Sequence, residues 1–465
     1  MVNPYIFREY DIRGVAEQDF PDDITYTLGK TFGTNFRRNN IQKVVIGRDC
    51  RLSSPRLRQA LLEGLFDTGC NVIDLSIIPT PLLYFALFNL EVGGGIMITG
   101  SHNPPDNNGF KVCVGKGTIF GEEIQNLRKL FEKRDFESGK GTLVSLDIRA
   151  RYLKTVSAFL EMGGGKRKVV IDSGNGTAGI VATPLYRSLG VEVSELFSEM
   201  DGTFPNHHPD PTVPANLTSL ISKVKEQKAD LGIGFDGDAD RIGVVDEQGK
   251  IIWGDQLMII FSRAILAELP GATFVADVKC SQTLFDDIKK HGGKAIMWKV
   301  GHSLMKAKLK EEKAPLAGEM SGHIFFAHRY YGYDDALYAG ARLLEILSRT
   351  EKKLSELLMD VPTTIVTPEI RTECSDEIKF LVVQKLLEKF KGDYPVIDVD
   401  GARILFDSGW GLVRASNTQP VLVLRFEATD ANNLGFIKTI VEKRVAESIK
   451  EVKEKGKWTN NEIKT

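Results

Sequence analysis

One pattern recurs three times along the chain: a β-branched strand, a polar loop, an amphipathic helix, a glycine and a second strand. In the first copy Lys43 to Ile46 is the strand, Gly47 to Ser53 the loop, and Ser54-Pro55 caps a helix that runs through Phe66; Gly69 stops it and Asn71 to Leu75 follows as strand. The second copy passes from Lys168 to Ile171 through DSGNGTAG, Asp172 to Gly179, into a helix ending before Gly190, with Val191 to Val193 as strand. In the third, Thr273 to Val278 leads through Lys279-Cys280-Ser281 to a helix reaching His291, then past Gly292-Gly293 to Ala295 to Trp298. Parallel strands need a crossover between them, so each copy predicts a layered α/β domain whose ligand-facing loops lie at strand C-termini.

At roughly 100 to 200 residues per domain, 465 residues hold three or four domains, and clefts between domains are where ligands bind. The last part departs from the pattern. Glu377 to Phe390 predicts one amphipathic helix, then come short strands, the loop Arg414 to Pro420, the strand Val421 to Phe426 and a helix from Asn433 to about Lys450, with a charged, frayed tail. Boundaries fall near the end of the polar run Phe131 to Asp147, at the hairpin Asp246 to Ile252 and near Thr363 to Thr367. The expected domains are therefore 1–148, 149–250 and 251–364, all α/β, and 365–465, a distinct α+β domain.

Lys and Arg total 60 against 62 Asp and Glu, a net charge of −2, which implies no general attraction to nucleic acid or anionic membrane. Any anion must be held by local charge. Five cysteines, Cys50, Cys70, Cys113, Cys280 and Cys374, are scattered without CxxC spacing, which argues for a reducing compartment and against a thiolate metal site. No signal-like core opens the chain and no run approaches the roughly 18 apolar residues of a membrane span, so the expected location is the cytoplasm.

The chemistry is concentrated in loops. Ile96 to Ile98 reads as a buried strand ending in Thr99-Gly100-Ser101-His102-Asn103-Pro104-Pro105, a stiff turn that aims the Ser101 hydroxyl at a cleft, with Lys111 a few residues on. Asp236-Gly237-Asp238-Ala239-Asp240-Arg241 lies between two predicted strands. Three carboxylates so close are tolerable only with a cation among them, and a hard, oxygen-ligated Mg²⁺ fits. A calcium EF-hand is excluded because Arg241 stands where its loop requires glycine and the flanks are strands. A phosphoryl group on Ser101, carrying about −1.5 to −2 charge, would complete the metal's ligand shell and couple the two loops. His302, after a strand and Gly301, is a candidate proton carrier with Lys111 as rival. The loop Gly318 to His323 offers Glu319 and Ser321 as acceptor and donor for adjacent sugar hydroxyls, and Arg414 to Pro420 sets a guanidinium, hydroxyls and an amide on one turn, the donors a phosphate dianion needs.

TGSHNPPDNNGFK, DGDADR, GEMSGH and RASNTQP stand in the order and at roughly the spacing found in the α-D-phosphohexomutases, and the resemblance spans the chain from YDIRG at Tyr10 to Gly14 through VLRFEA at Val423 to Ala428. GEMSGH resembles the phosphomannomutase/phosphoglucomutase branch; glucosamine-phosphate mutases usually carry glutamine at the position of Met320. The resemblance implies four domains around a central cleft, Ser101 as phosphoserine, and Mg²⁺ held by Ser101, Asp236, Asp238 and Asp240. Arg241 and Lys279 would border the site. Lys111 and His302 would be the acid/base pair, in either order, and Glu319 and Ser321 would contact sugar hydroxyls. Arg414, Ser416, Asn417 and Thr418 would grip the phosphate that is not transferred, with Tyr10, Arg13 and His323 as further cleft residues. It implies interconversion of hexose 1-phosphate and 6-phosphate, mannose or glucose, through a hexose 1,6-bisphosphate. A phosphosugar is then the only partner required; monomer and dimer both remain open. The alternatives are a glucosamine-phosphate mutase, a metal-dependent serine phosphatase, and a non-catalytic sugar-phosphate sensor.

Overall fold

A computed structural model of the chain describes residues 3–416 and 420–462, with side chains described through residue 454. The chain divides into two compact units. The first holds residues 1–276, 284–296 and 301–359, and the second holds 277–283, 297–300 and 360–465.

Three sheets lie in the first unit or begin there. In the first, the order is Ile12–Val15, Asn107–Val114, Gly94–Ile98, Lys43–Arg48, Asn71–Ile77, Leu143–Ser145. Lys43–Arg48 pairs in parallel with strands on both sides, and the helix Ser54–Asp67 makes the expected crossover. Apolar side chains close the layer: Leu57, Leu61 and Leu65 of that helix and Phe32 and Phe36 of Asp22–Arg38 are fully buried with Val44, Ile96 and Ile98 of the sheet. Burying each such side chain contributes about 1.5–3 kcal/mol.

The second sheet runs Ile251–Ile252, Ile242–Asp246, Leu231–Phe235, Lys168–Asp172, Glu192–Leu196. Lys168–Asp172, the helix Gly179–Ser188 and Glu192–Leu196 form the second crossover, with parallel pairing. A third sheet, Lys294–Trp298, Thr273–Asp277, Leu316–Gly318, Ile324–Phe326, contains the third, built on the helix Gln282–Lys290. The helices therefore stop before Gly69, Gly190 and Gly292, as their spacing predicts. Where strand runs on, the sequence underestimates it: Lys43–Arg48 and Asn71–Ile77 each extend two residues beyond the expected strand, because backbone pairing continues through Gly47-Arg48 and, across a register shift, to Ile77.

In the second unit a sheet ordered Ile365–Val366, Val421–Ala428, Gly409–Ala415, Ala402–Phe406, Val396–Ile397 pairs antiparallel at each step. Helices Lys379–Lys391 and Ala431–Glu462 cover it through Val382, Leu386, Phe390, Ile437 and Val441. The last helix runs past the expected end near Lys450, through residues expected to fray. Among the described residues no helix is long and apolar enough to cross a membrane.

Candidate active site

Ser101 follows the strand Gly94–Ile98 on a turn that forces it into left-handed backbone, φ 49°, and it is 3% exposed. Such a conformation costs a non-glycine residue about 1–3 kcal/mol and persists only where neighbours over-determine it. Here its N–H donates to Thr99 Oγ1 at 2.9 Å, and its Oγ donates to Asp236 Oδ2 at 2.9 Å and lies 3.1 Å from His102 Nδ1. The sequence places the aspartate turn between Leu231–Phe235 and Ile242–Asp246, so its three carboxylates emerge from one sheet end, all fully buried. Gly237 lets the two turns meet: a Cβ there would come within 2.6 Å of the Ser101 carbonyl oxygen.

Asp238 Oδ2 accepts from Thr80 Oγ1 at 2.6 Å, Thr99 Oγ1 at 3.2 Å and Lys111 Nζ at 3.0 Å, and Lys111 also donates to Asp240 Oδ2. Asp236 Oδ1 accepts the backbone N–H groups of Asp240 and Arg241 at 3.0 and 3.1 Å. Asp238 Oδ1 and Asp240 Oδ1 are buried with no hydrogen-bond partner among the described residues. Burial, then the Asp240 and Asp238 carboxylates, push Asp236 well above the usual carboxylate range. Burial would push the Lys111 ammonium down, but Asp238 and Asp240 outweigh it and hold it above the ordinary lysine value.

One ammonium thus pairs with two of the three carboxylates, Asp238 and Asp240, and the second oxygen of each has no hydrogen-bond partner among the described residues. That is a donor set of hard oxygens short of a cation, and Asp236, Asp238 and Asp240 each present an oxygen within 4.8 Å of the others. The residues fit a divalent metal. Asp240, His323 and Asp334 also bring ligand atoms within that distance.

Arg241 Nε donates to His323 Nε2 at 3.0 Å. A guanidinium can only donate, so Nε2 carries the lone pair and the ring proton sits on Nδ1, which faces Asp334 Oδ2 at 3.3 Å. His323 stacks on His302 with ring centroids 5.9 Å apart. His302 opens the helix His302–Glu312, with Lys306 Nζ 3.2 Å from its Nδ1. Burial, then Lys306, push the His302 imidazole well below its ordinary pKa and keep it neutral. Glu319 Oε1 accepts the Gly301 N–H at 2.6 Å and its Oε2 accepts Ser321 Oγ at 3.2 Å, so one carboxylate ties the His302 turn to the Gly318 to His323 loop. Tyr10 packs edge-on to His302, centroids 6.1 Å apart; Arg13 pairs with Asp11 at 2.6 Å and reaches Asn103 Oδ1 at 3.4 Å.

Ser101, Lys111, the three aspartates, Arg241, His302, Glu319, Ser321, His323, Tyr10 and Arg13 all belong to the first unit. Lys279, Arg414 and Ser416 belong to the second. There Lys279 Nζ donates to Glu369 Oε1 at 2.8 Å, and Arg414 Nε donates to Asp400 Oδ2 at 3.1 Å. Asn417 and Thr418 lie outside the described residues. Sequence reasoning missed Asp334, which faces His323 and Lys306, and also missed Thr80 and Arg51. Arg51 lies in GRDCR, at the strand end where the first repeat already placed a ligand-facing loop.

Family models described as phosphoglucomutase/phosphomannomutase alpha/beta/alpha domains I, II and III match residues 4–138, 150–249 and 253–365, and the C-terminal domain of the same family matches 369–454. The chain belongs to the phosphoglucomutase/phosphomannomutase family. A phosphomannomutase/phosphoglucomutase of Pseudomonas aeruginosa is 47% identical over 94% of each chain. A phosphoglucomutase of Neisseria meningitidis is 46% identical, covering 91% of this chain and 93% of its own. The crystal structure of a Burkholderia thailandensis phosphoglucomutase/phosphomannomutase family protein superposes with a TM-score of 0.91 at 42% identity, covering 96% of this chain and 98% of that one. Four-domain α/β architecture, three related domains and a distinct last one, is therefore this chain's family fold.

Proposed function

We propose that the protein interconverts hexose 1-phosphate and hexose 6-phosphate, with mannose and glucose as sugars, using Ser101 as phosphoryl carrier. The observation that carries this reading is the bond from Ser101 Oγ to Asp236 Oδ2, which sets the hydroxyl against a buried trio of carboxylates. A phosphoryl group leaves Ser101 Oγ for the sugar's free hydroxyl: the P–Oγ bond breaks as the new P–O bond forms, and the hydroxyl proton ends on Ser101 Oγ. Reorientation of the resulting 1,6-bisphosphate lets the serine recover the other phosphoryl group by the reverse exchange.

Asp236, Asp238 and Asp240, with a phosphoryl oxygen on Ser101, would hold Mg²⁺. When bound it would supply Lewis-acid stabilisation of the charge developing on the bridging oxygen. Lys111, kept charged by two carboxylates, suits the acid role, and neutral His302 suits the base role. Glu319 and Ser321 offer the mixed acceptor and donor set for vicinal hydroxyls, and Arg414 and Ser416 carry donors for the second phosphate. Tyr10, Arg13, Arg241 and His323 would contact the sugar phosphate beside the Ser101 turn, and Lys279 would supply a further cation. All five cysteines are free thiols, which suits the cytoplasm.

Intact-mass measurement before and after incubation with glucose 1,6-bisphosphate tests the carrier. A single phosphoryl adduct that disappears in Ser101→Ala is expected, and its absence in the wild-type chain refutes the reading. Release of inorganic phosphate at the rate of isomerisation would instead favour a phosphatase.

A further inference from the structure

Arg51 is 1% exposed and spends every guanidinium donor inside the protein. Its Nε donates to Asp49 Oδ2 at 3.2 Å. Nη2 donates to the carbonyl oxygens of Ser101 at 2.8 Å and Asn103 at 2.6 Å; Nη1 donates to those of Pro104 and, at 3.0 Å, Asn107. Four carbonyls of one turn therefore converge on a single planar cation. Asp49 closes the arrangement: its Oδ2 also accepts the Gly100 N–H at 3.1 Å, while its Oδ1 accepts the Arg51 N–H at 3.0 Å and Ser54 Oγ at 2.7 Å. The fit leaves no spare volume, since a Cβ on Gly100 would lie 2.4 Å from Arg51 Nε.

The buried guanidinium also meets another part of the chain. Phe204, on the long loop after the strand Glu192–Leu196, is 7% exposed and sets its ring 5.1 Å from the Arg51 guanidinium carbon. Gly202 of the same loop approaches so closely that a Cβ would meet the Cys50 carbonyl oxygen at 2.5 Å. The turn carrying Ser101 is thus wound on a cation that an aromatic ring holds in place.

We propose that Arg51 is a positioning residue for phosphoryl transfer. Its five-donor fork imposes the left-handed backbone at Ser101 that aims Oγ at Asp236, and Phe204 keeps the fork in its plane. The inference rests on Ser101 being the phosphoryl carrier. A lysine cannot replace the fork, because three rotatable donors on a point charge do not span four carbonyls in a fixed plane.

The test compares Arg51→Lys and Phe204→Leu with the wild-type enzyme in the conversion of glucose 1-phosphate to glucose 6-phosphate. It is run after the adduct on wild-type Ser101 has been established by intact mass; failure at that step overturns the carrier reading itself. A displacement of about 1 Å at the reacting atom costs about a hundredfold in rate, so Arg51→Lys is expected to lose about that much kcat with KM within about threefold, and Phe204→Leu about tenfold with KM likewise unchanged. If Arg51→Lys does not fold, Phe204→Leu decides alone. A kcat within twofold of wild type overturns the proposal. So does a loss in which KM rises in step with the fall in kcat, which marks general damage rather than misplacement of Ser101.

Discussion

Ser101 Oγ and Asp236 Oδ2, 135 positions apart in sequence, are joined by a 2.9 Å hydrogen bond. The bond exists because two turns from different sheets abut at Gly237, and it makes the hydroxyl part of the same cluster as the carboxylates. Chemistry at the serine and charge at the aspartates are therefore one system, and perturbing either has consequences at the other.

Asp238→Asn changes one oxygen to an amide nitrogen inside that cluster and weakens any metal held there. Because the metal would act on transfer rather than on grip of the sugar, kcat should fall about 10²- to 10³-fold while KM changes little. Steady-state kinetics at saturating Mg²⁺ checks this; near-wild-type kcat would remove Asp238 from the account.

Lys111→Met should destabilise the metal-free protein, since removing one partner of a buried ion pair costs about 3–5 kcal/mol and here strands two carboxylates at once. Mg²⁺ should return part of that loss. The measurement is thermal unfolding with EDTA and with Mg²⁺: the rise in Tm on adding the metal should be larger for Lys111→Met than for wild type. An equal rise in both would mean that the ion and the ammonium do not answer to the same carboxylates.

Much of this arrangement was legible in the sequence, and the parts that were not have a common cause. Crossover units announce themselves locally, because apolar strands, capped helices and stop glycines are adjacent residues; so do the Ser101 and Asp236 turns, whose composition is unusual for any regular element. Arg51 carries no such mark. Its role depends on four carbonyls some fifty positions away, and a loop arginine has the same local appearance whether it is solvated or buried. Asp334 is similar: only the fold brings it to His323 and Lys306. The choice between Lys111 and His302 was unreadable for a further reason, since it turns on burial and neighbouring charge, which a one-dimensional pattern does not record.

Arg414→Ala should chiefly raise KM. Arg414 Nε is occupied by Asp400, whose Oδ2 also accepts the Val300 N–H at 3.0 Å, so the guanidinium is oriented before any ligand arrives. Loss of charge-assisted hydrogen bonds worth about 1.5–3 kcal/mol corresponds to a KM increase of about ten- to a hundredfold. Kinetics with glucose 1-phosphate provide the check, and unchanged KM and kcat would take Arg414 out of the phosphate clamp.

Asp335 gives a stability prediction with a definite pH window. Its carboxylate caps the helix Ala336–Ser348, accepting from the Tyr338 N–H at 2.9 Å, and also accepts from Tyr152 and Tyr330 hydroxyls at 2.9 and 2.6 Å. Burial raises its pKa from 3.8 to about 6 despite these bonds. Between about pH 4 and pH 6 the folded chain therefore keeps a proton that the unfolded chain has lost, so this group makes stability fall as pH rises through that window and imposes its full penalty above it. A displacement of about two pKa units corresponds to about 3 kcal/mol. Asp335→Asn keeps an acceptor for the cap and removes the titration. Urea unfolding at pH 4, 5, 6 and 7 should show a flatter pH dependence for the variant than for wild type across the window, with the variant at least as stable at pH 7. Identical slopes in the two proteins would show that the proton taken up on folding resides on some other group.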